Sequence, residues 1–505
     1  MAGNYYDVVV LGSELGPLCA AALLAKRGFR VLVAGQGMFR NRYPCMEYEF
    51  VYKPFVLNGA TSPVVSRVIE ELSIGQLFNN AEVPSEIRYQ IVQPRNRVSV
   101  YNDERKTISE FAREFPSYAG KISGILSKIE RYSRDFETLI QSDLVVPAEN
   151  FFERRDFARA MVQHPFLSNP RLNFLELLDV AGSFRDCLMA PLSSFGEATM
   201  SLPPLTVARA IASWLGDTRY IRKGLDGLRQ ILCERIVEQG GDVQEQFQAN
   251  SIRVSRGRVM GVQFRGRTEA VSTRIVLTDL PPSSLAALVE PGEWTSRFRA
   301  MMEDHQLYQH GYALNLGVRS EVIPTGMADT VFLITENSNL PFALRIEKIP
   351  QKESSLTGLN ISCTVPHVMR KKIDSGVLRD TMLDEVRRLI PYLDNYLEVI
   401  HSPFDTFGAI SLTGGASGRN VPPVPHPEQI PLWIVHTPAG YSGIGTENLT
   451  HRTGIKGLLM SGTQVNVGLG SETDMLSAWG AAKIAGKMDP ARQRLVRSMR
   501  AHIEM

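Results

Sequence analysis

The chain has 505 residues, of which 44% are hydrophobic and 21% are charged, and its formal net charge is +2. This length predicts two or three domains, and the composition is that of an ordinary globular protein. The small net charge, without basic runs interleaved with aromatic residues, argues against a nucleic-acid partner. No run reaches the ~18 apolar residues of a membrane span, and no signal peptide opens the sequence. A cytoplasmic location is therefore predicted.

The first predicted unit is a strand, a glycine turn and a helix. Residues 6–11 form an apolar run, the turn follows at Gly12-Ser13-Glu14-Leu15-Gly16, and residues 18–28 and 29–34 read as a helix and a second strand. Such a β-α-β unit is of Rossmann type, in which a diphosphate normally rests on the helix N-terminus. The pattern predicts a dinucleotide-binding domain.

Three positions of the dinucleotide fingerprint depart from the pattern. Glu14 replaces the second glycine, Pro17 replaces the third, and Gly35 stands where an acid normally binds the ribose. Glu14 adds bulk and a negative charge, and at ~4 Å and an effective dielectric near 20 its repulsion of a phosphate is about 4 kcal/mol per charge pair. Pro17 is less costly, because proline in the first turn of a helix loses no needed hydrogen bond. The sequence therefore predicts weakened binding of a dinucleotide.

The rest of the chain alternates between segments of two predicted domains. A hairpin over residues 83–101, ending in a turn at Asn102-Asp103-Glu104, and helices over 108–140 and 156–215 suggest a second domain. Patterns typical of a dinucleotide-binding domain return later in the chain. They predict a helix over 222–239, strands over 251–255, 259–264, 274–279 and 457–463, and a helix over 478–485. Between them lie mixed strands over 306–410, an amphipathic helix over 379–393 and a strand over 432–437.

Two interleaved domains follow from this order. Residues 1–80, 215–300 and 440–505 are predicted to form an α/β, Rossmann-like FAD/NAD(P)-binding domain built from three chain segments. Residues 81–214 and 301–439 are predicted to form an inserted mixed-sheet and helical substrate domain, or cap.

This arrangement resembles the phytoene desaturase branch of the FAD-dependent amine oxidase superfamily. The resemblance rests on the N-terminal glycine unit, the mid-chain block from Gly224 through Gly240-Gly241, and the C-terminal Gly462-Thr463 followed by a glycine loop. It implies FAD as cofactor and an apolar, isoprenoid-like substrate. Glu472 and Asp474, near the glycine loop, have no role in this pattern and would add negative charge beside a flavin. The implied cofactor-binding positions are Gly12, Ser13, Glu14, Gly16, Gly35, Gly224, Gly462 and Thr463.

No side chain stands out as catalytic or as a metal ligand. The nine histidines lack metal-ligand spacing, and His305 and His310 read as structural or surface residues. In such flavoproteins the cofactor performs the hydride chemistry and the protein supplies orientation and an apolar tunnel. The apolar residues of 156–215 fit either such a tunnel or an ordinary helical core.

The sequence leaves three interpretations open. The first is a flavoprotein oxidoreductase with an altered fingerprint. The second is an NADP-type site, because Arg40 and Arg42 follow Gly35 and suit a 2′-phosphate. The third is a relative that has lost the cofactor and binds an apolar ligand or a protein partner, as the Rab GDP-dissociation inhibitors of this superfamily do.

The C-terminal segment has two interpretations of its own. It is a solvated helix or a peripheral contact with an anionic membrane. Its basic residues are Arg492, Arg494, Arg497 and Arg500.

Overall fold

The computed structural model of the chain describes residues 5–37, 40–164, 174–195, 203–304, 309–335, 343–366, 374–404, 408–411 and 444–488. The strands of these residues are β1 (Val8–Leu11), β2 (Val31–Ala34), β3 (Arg42–Cys45), β4 (Tyr48–Val51), β5 (Leu57–Asn58), β6 (Ile87–Val92), β7 (Arg97–Tyr101), β8 (Thr218–Arg219), β9 (Asp242–Gln244), β10 (Ala249–Ser255), β11 (Arg258–Phe264), β12 (Val271–Ser272), β13 (Ile275–Thr278), β14 (Gln309–Arg319), β15 (Thr330–Ile334), β16 (Ala343–Pro350), β17 (Leu356–Pro366), β18 (Leu397–His401), β19 (Ile410–Ser411) and β20 (Leu458–Met460).

The α-helices in the described part of the chain connect and cover these strands. They are α1 (Leu15–Lys26), α2 (Pro63–Leu72), α3 (Gly75–Ala81), α4 (Glu104–Glu114), α5 (Ile122–Gln141), α6 (Phe151–Val162), α7 (Phe174–Leu178), α8 (Gly182–Met189), α9 (Pro204–Gly216), α10 (Leu225–Glu238), α11 (Pro282–Ala286), α12 (Ser296–Asp304), α13 (Ser375–Leu389), α14 (Leu393–Tyr396) and α15 (Ser471–Lys487). Within the described part of the chain, no helix combines the length and the apolar character needed to cross a membrane.

A five-stranded parallel sheet forms the centre of the first unit, in the order β20-β13-β1-β2-β9. Every residue of β1, β2, β13 and β20 is buried. A parallel sheet with both faces covered reads as continuous apolar runs, which is why these strands were visible in the sequence. The predicted Rossmann-like sheet assembled from three chain segments is confirmed, while the exact domain boundaries stay predictions.

The second sheet has eight strands in the order β19-β18-β14-β17-β16-β15-β6-β7, with β15 and β6 parallel and the other neighbours antiparallel. It joins the early hairpin to strands from residues 309–411. The predicted turn of that hairpin was wrong: the chain reverses at residues 93–96, where the Gln93 N–H donates to the Asn96 carbonyl at 2.8 Å. Asp103 instead caps α4, accepting from the Arg105 N–H at 2.8 Å. Asp is a preferred N-cap residue, so the same residue type fits either role.

Helices cover the sheets where the apolar spacing predicted them. The predicted helical stretch 108–140 is divided into α4 and α5, because a short 3-10 turn starting at Pro116 interrupts it. The buried face of α5 packs on α9. The strand predicted over 432–437 and the basic segment carrying Arg492, Arg494, Arg497 and Arg500 lie outside the described residues.

Candidate dinucleotide site

The glycine turn lies between β1 and α1, as the sequence predicts. Gly12 has a φ of +125°, and its N–H donates to the Ala34 carbonyl at 3.0 Å, which ties the turn to the end of β2. Ser13 is buried, and Glu14 occupies the N-cap position of α1 without a side-chain hydrogen bond to the helix. The glutamate side chain therefore leaves the amides of Leu15 and Gly16 uncapped, while Pro17 has no N–H to offer; uncapped helix amides are the groups that bind anions in other proteins.

Glu14 is held by two cations. Its carboxylate lies 2.5 Å from Lys53 Nζ and 3.0 Å from Arg229 Nη2. Burial raises the pKa of Glu14, but the charges of Lys53 and Arg229 outweigh it and lower the pKa to about 2. Even so, 43% of the Glu14 side chain is exposed, so the ion pairs form at an open face of the turn.

Separate elements hold the two cations in place. Lys53 follows β4, and its backbone is fixed by Asn41, which accepts from the Lys53 N–H at 3.2 Å and donates to the Lys53 carbonyl at 2.8 Å. Arg229 lies on α10 with only 3% of its side chain exposed. It donates to the Ser13 carbonyl at 2.7 Å and to Asp226 at 3.2 Å. The sequence analysis missed both cations, although an arginine on the apolar face of α10 is a usable signal.

Two further carboxyl groups face the same turn. Asp279 follows β13 and lies so close to Gly12 that any side chain at position 12 would collide with it. Burial raises the pKa of Asp279 to about 8, with a further contribution from the charge of Glu14. Burial and Glu14 likewise raise the pKa of Asp474, in the first turns of α15, to about 7. Within the described residues, Asp279 Oδ2 is buried without a hydrogen-bond partner.

The C-terminal block closes on the first helix at Gly462. A Cβ at Gly16 would lie 2.5 Å from the Gly462 Cα, so the two backbones meet where neither residue has a side chain. Gly462 has a φ of +75° and a hypothetical Cβ there would lie 3.4 Å from Pro17 Cδ, so the proline fits beside it. Thr463 is exposed in a 3-10 turn after Gly462. Its contact with a phosphate stays a prediction.

The other predicted positions lie around the turn. Gly35 follows β2, and its N–H donates to the Gln244 carbonyl at 3.0 Å. Gly224 is the N-cap of α10, the helix that carries Arg229. Arg42, which the NADP interpretation needed, pairs with Glu49 at 3.1 Å.

The residues around the turn fit a diphosphate better than the fingerprint alone indicates. The charge of Glu14 is paired, so the predicted repulsion of about 4 kcal/mol is opposed by two cations at shorter distances. Burial raises the pKa of Asp279 to about 8 and that of Asp474 to about 7, so Asp279 is mostly protonated at pH 7 and Asp474 about half; a protonated carboxyl can donate a hydrogen bond. With the amides of Leu15 and Gly16, these groups form a donor set for an anion, which the carboxylate of Glu14 opposes.

Glu472 does not face the glycine turn, and the charge that it was expected to add beside a flavin stays a prediction. It binds Arg209 of α9 at 2.8 Å, and both side chains are 2% exposed. Arg209 also contacts Asp217 at 2.9 Å and Glu137 at 2.5 Å. We call these four residues the Arg209 cluster. In the described residues, no group of histidine, cysteine, aspartate and glutamate side chains has the arrangement of a metal site.

The architecture is shared with solved structures of oxidoreductases and amine oxidases. An oxidoreductase from Methanosarcina mazei superposes with a TM-score of 0.59 and 14% identity, covering 94% of this chain and 99% of its own. Cyclohexylamine oxidase from Brevibacterium oxydans superposes with a TM-score of 0.56 and 12% identity, and the match covers 96% of this chain and 100% of the oxidase chain. At these identities the likeness establishes the fold.

Curated relatives narrow the resemblance. The chain is 22% identical to a chloroplastic prolycopene isomerase of Daucus carota over 373 residues, which is 68% of this chain and 58% of the relative. It is 20% identical to a 4,4′-diapophytoene desaturase of Methylomonas sp over 303 residues, or 57% and 56% of the two chains. The match thus spans little more than half the length of these relatives. No family model matches the chain. The resemblance to the phytoene desaturase branch, predicted from the sequence, is confirmed.

Proposed function

We propose that this chain is a phytoene desaturase-like, FAD-dependent oxidoreductase that acts on an apolar, isoprenoid-like substrate. The observation that carries the cofactor assignment is the convergence of Lys53 and Arg229 on the uncapped start of α1. The names of the relatives, an isomerase and a desaturase, support the substrate class.

In this proposal each residue at the turn has a role toward the cofactor. Lys53, Arg229 and the first amides of α1 hold the diphosphate, since cations and helix N-termini both favour anions. Protonated Asp279 and Asp474 donate hydrogen bonds to its oxygens or to the adjoining chain. When bound, the flavin supplies hydride-transfer chemistry. The protein holds the substrate and excludes water.

The absorbance spectrum of the purified protein tests the proposal directly. Flavin bands, with FAD released on denaturation, are the expected result for a loaded site. If the protein is purified without flavin, it is titrated with FAD and then mixed with apolar polyenes. Failure to bind FAD at any concentration tested would contradict the cofactor assignment, and failure to bind or convert polyenes would contradict the substrate class.

A second candidate is a cofactor-free relative that binds an apolar ligand or a protein partner. It is favoured by one specific observation: both cations are already paired with Glu14, and the ribose position carries Gly35 in place of an acid. The double variant Glu14→Gly with Gly35→Glu separates the two candidates. A gain of flavin in the variant, with none in the wild type, supports a lost site, whereas flavin in the wild type contradicts it.

The location of the protein is also a proposal. We place it in the cytoplasm with peripheral contact to a membrane, where an isoprenoid substrate would dissolve. Co-sedimentation with vesicles containing phosphatidylserine tests the contact, and vesicles of phosphatidylcholine alone are the control. Equal sedimentation with both, or with neither, contradicts an electrostatic attachment.

A further inference from the structure

The charges around Glu14 have an unusual balance for a ligand-binding turn. In the dinucleotide fingerprint this position is glycine, so that the backbone can approach the diphosphate. Here a carboxylate occupies the position and binds Lys53 at 2.5 Å and Arg229 at 3.0 Å. Glu14 therefore makes the contacts that an anionic ligand would be expected to make.

The two ion pairs differ in how firmly they are built. Arg229 is 3% exposed, and its other contacts, to Ser13 and Asp226, hold it in place without Glu14. The Lys53 side chain is 25% exposed and ends on a flexible stem, and Glu14 is 43% exposed. A partly exposed ion pair costs less to open than a buried one, because water can solvate the separated charges. The Glu14–Lys53 pair is the one that can open.

We infer that Glu14 is an internal competitor for the diphosphate: it binds Lys53 in the ligand-free chain and releases it when a dinucleotide binds. This inference rests on the proposed function, because it assumes that the turn accepts a dinucleotide. It assigns Lys53 as the diphosphate ligand and makes Glu14 the residue that sets the affinity.

A double-mutant cycle measures the competition. FAD binding is followed by quenching of flavin fluorescence and by calorimetry in the wild type, Glu14→Gln, Lys53→Met and the double variant. If Glu14 sequesters Lys53, then Glu14→Gln tightens FAD binding about tenfold when Lys53 is present. The same substitution tightens binding no more than about threefold when Lys53 is Met, because Lys53 is then absent and Arg229 keeps its contacts with Ser13 and Asp226 in either case.

A matched control removes one negative charge from a residue of α2 that is paired with an arginine at the other end of α1. Glu71 pairs with Arg27 at 2.8 Å, at the opposite end of α1 from the turn, and Glu71→Gln is expected to leave FAD binding unchanged. Thermal melting of every variant verifies folding. If Glu14→Gln is poorly folded, Glu14→Gly, which restores the fingerprint residue, replaces it in the cycle.

Each outcome decides the question. Equal gains with and without Lys53 show that Glu14 only repels the diphosphate, and no gain shows that it does not control binding; both overturn the inference while the proposed function stands. FAD binding by none of the variants overturns the inference and the cofactor assignment together. Polyene binding, measured separately, then reports whether the substrate class survives.

Discussion

Two clusters of charged residues lie on either side of the start of α15, and they are built in opposite ways. In the Arg209 cluster, one buried cation faces the three carboxylates of Glu137, Asp217 and Glu472. At the turn, the single carboxylate of Glu14 faces two cations and remains 43% exposed. Glu472 and Asp474, two residues apart on α15, face the first and the second cluster respectively.

The difference separates a structural role from a binding role. Opening the Arg209 cluster would leave charges in the protein interior, which costs several kcal/mol per ion. Opening the Glu14–Lys53 pair separates two partly exposed side chains, which costs less than stranding a buried charge. A site that binds and releases a ligand needs charged groups that can separate at low cost, as at Glu14.

The largest effect is expected at Arg209. Arg209→Met strands Glu472 and Asp217 without their buried partner and should destabilise the fold by about 3–5 kcal/mol. Thermal melting measures the loss. The control is Arg134→Met, which breaks an exposed pair with Glu130 on α5 and should cost less than about 1 kcal/mol. Equal losses in the two variants would remove the structural role of the Arg209 cluster.

Asp279 is expected to make stability depend on pH. Its folded pKa of about 8 exceeds the usual carboxyl value, so between the two the folded chain keeps a proton that the unfolded chain has lost. Its contribution to stability is therefore full in acid and falls as the pH rises toward 8. Asp279→Asn cannot ionise and should gain roughly 1–3 kcal/mol relative to the wild type between about pH 5 and pH 8.5.

Melting temperatures at the two pH values check this expectation. Asp380→Asn, at an exposed residue paired with Arg379, is the control and should show no such difference. If Asp279→Asn tracks the wild type across the range, then Asp279 is not protonated in the folded chain.

The affinity for FAD should fall in alkali. As Asp279 and Asp474 lose protons between about pH 6.5 and pH 9, two donors become negative charges beside the diphosphate, and Kd should rise about tenfold. The other titratable or charged groups that face the pair are Glu14, Lys53, Arg229 and Cys19. The variant with asparagine at both aspartates should bind with a flatter pH profile, measured by fluorescence titration. An unchanged profile would place the pH dependence elsewhere.

The smallest effect is expected on stability at Glu14. Because the side chain is 43% exposed, Glu14→Gln should change the free energy of unfolding by no more than about 1 kcal/mol. A loss as large as that of Arg209→Met would make Glu14 a structural residue and end the contrast between the two clusters.

The sequence predicted the frame of the molecule better than its charged sites. The strands beside Gly12 were visible because buried parallel strands are continuous apolar runs. Lys53 was not visible, since it comes from a distant segment and no pattern marks it. Arg229 left one signal that was missed, its place on the apolar face of α10. Asp279 was within reach, because it follows a buried strand at the carboxyl edge of a parallel sheet, where ligands bind in such folds.

The same interleaving has a consequence for biosynthesis. β1 pairs with β13, β13 pairs with β20, and α1 packs on α15. The first helix therefore completes its native contacts only after the last described helix has been synthesised. At roughly 5–20 residues per second, the ribosome needs on the order of half a minute or longer to pass from one to the other. During that interval the apolar face of α1 and the open edge of β13 are without their native cover. Nascent chains of this protein should therefore depend on a chaperone that binds early and releases late.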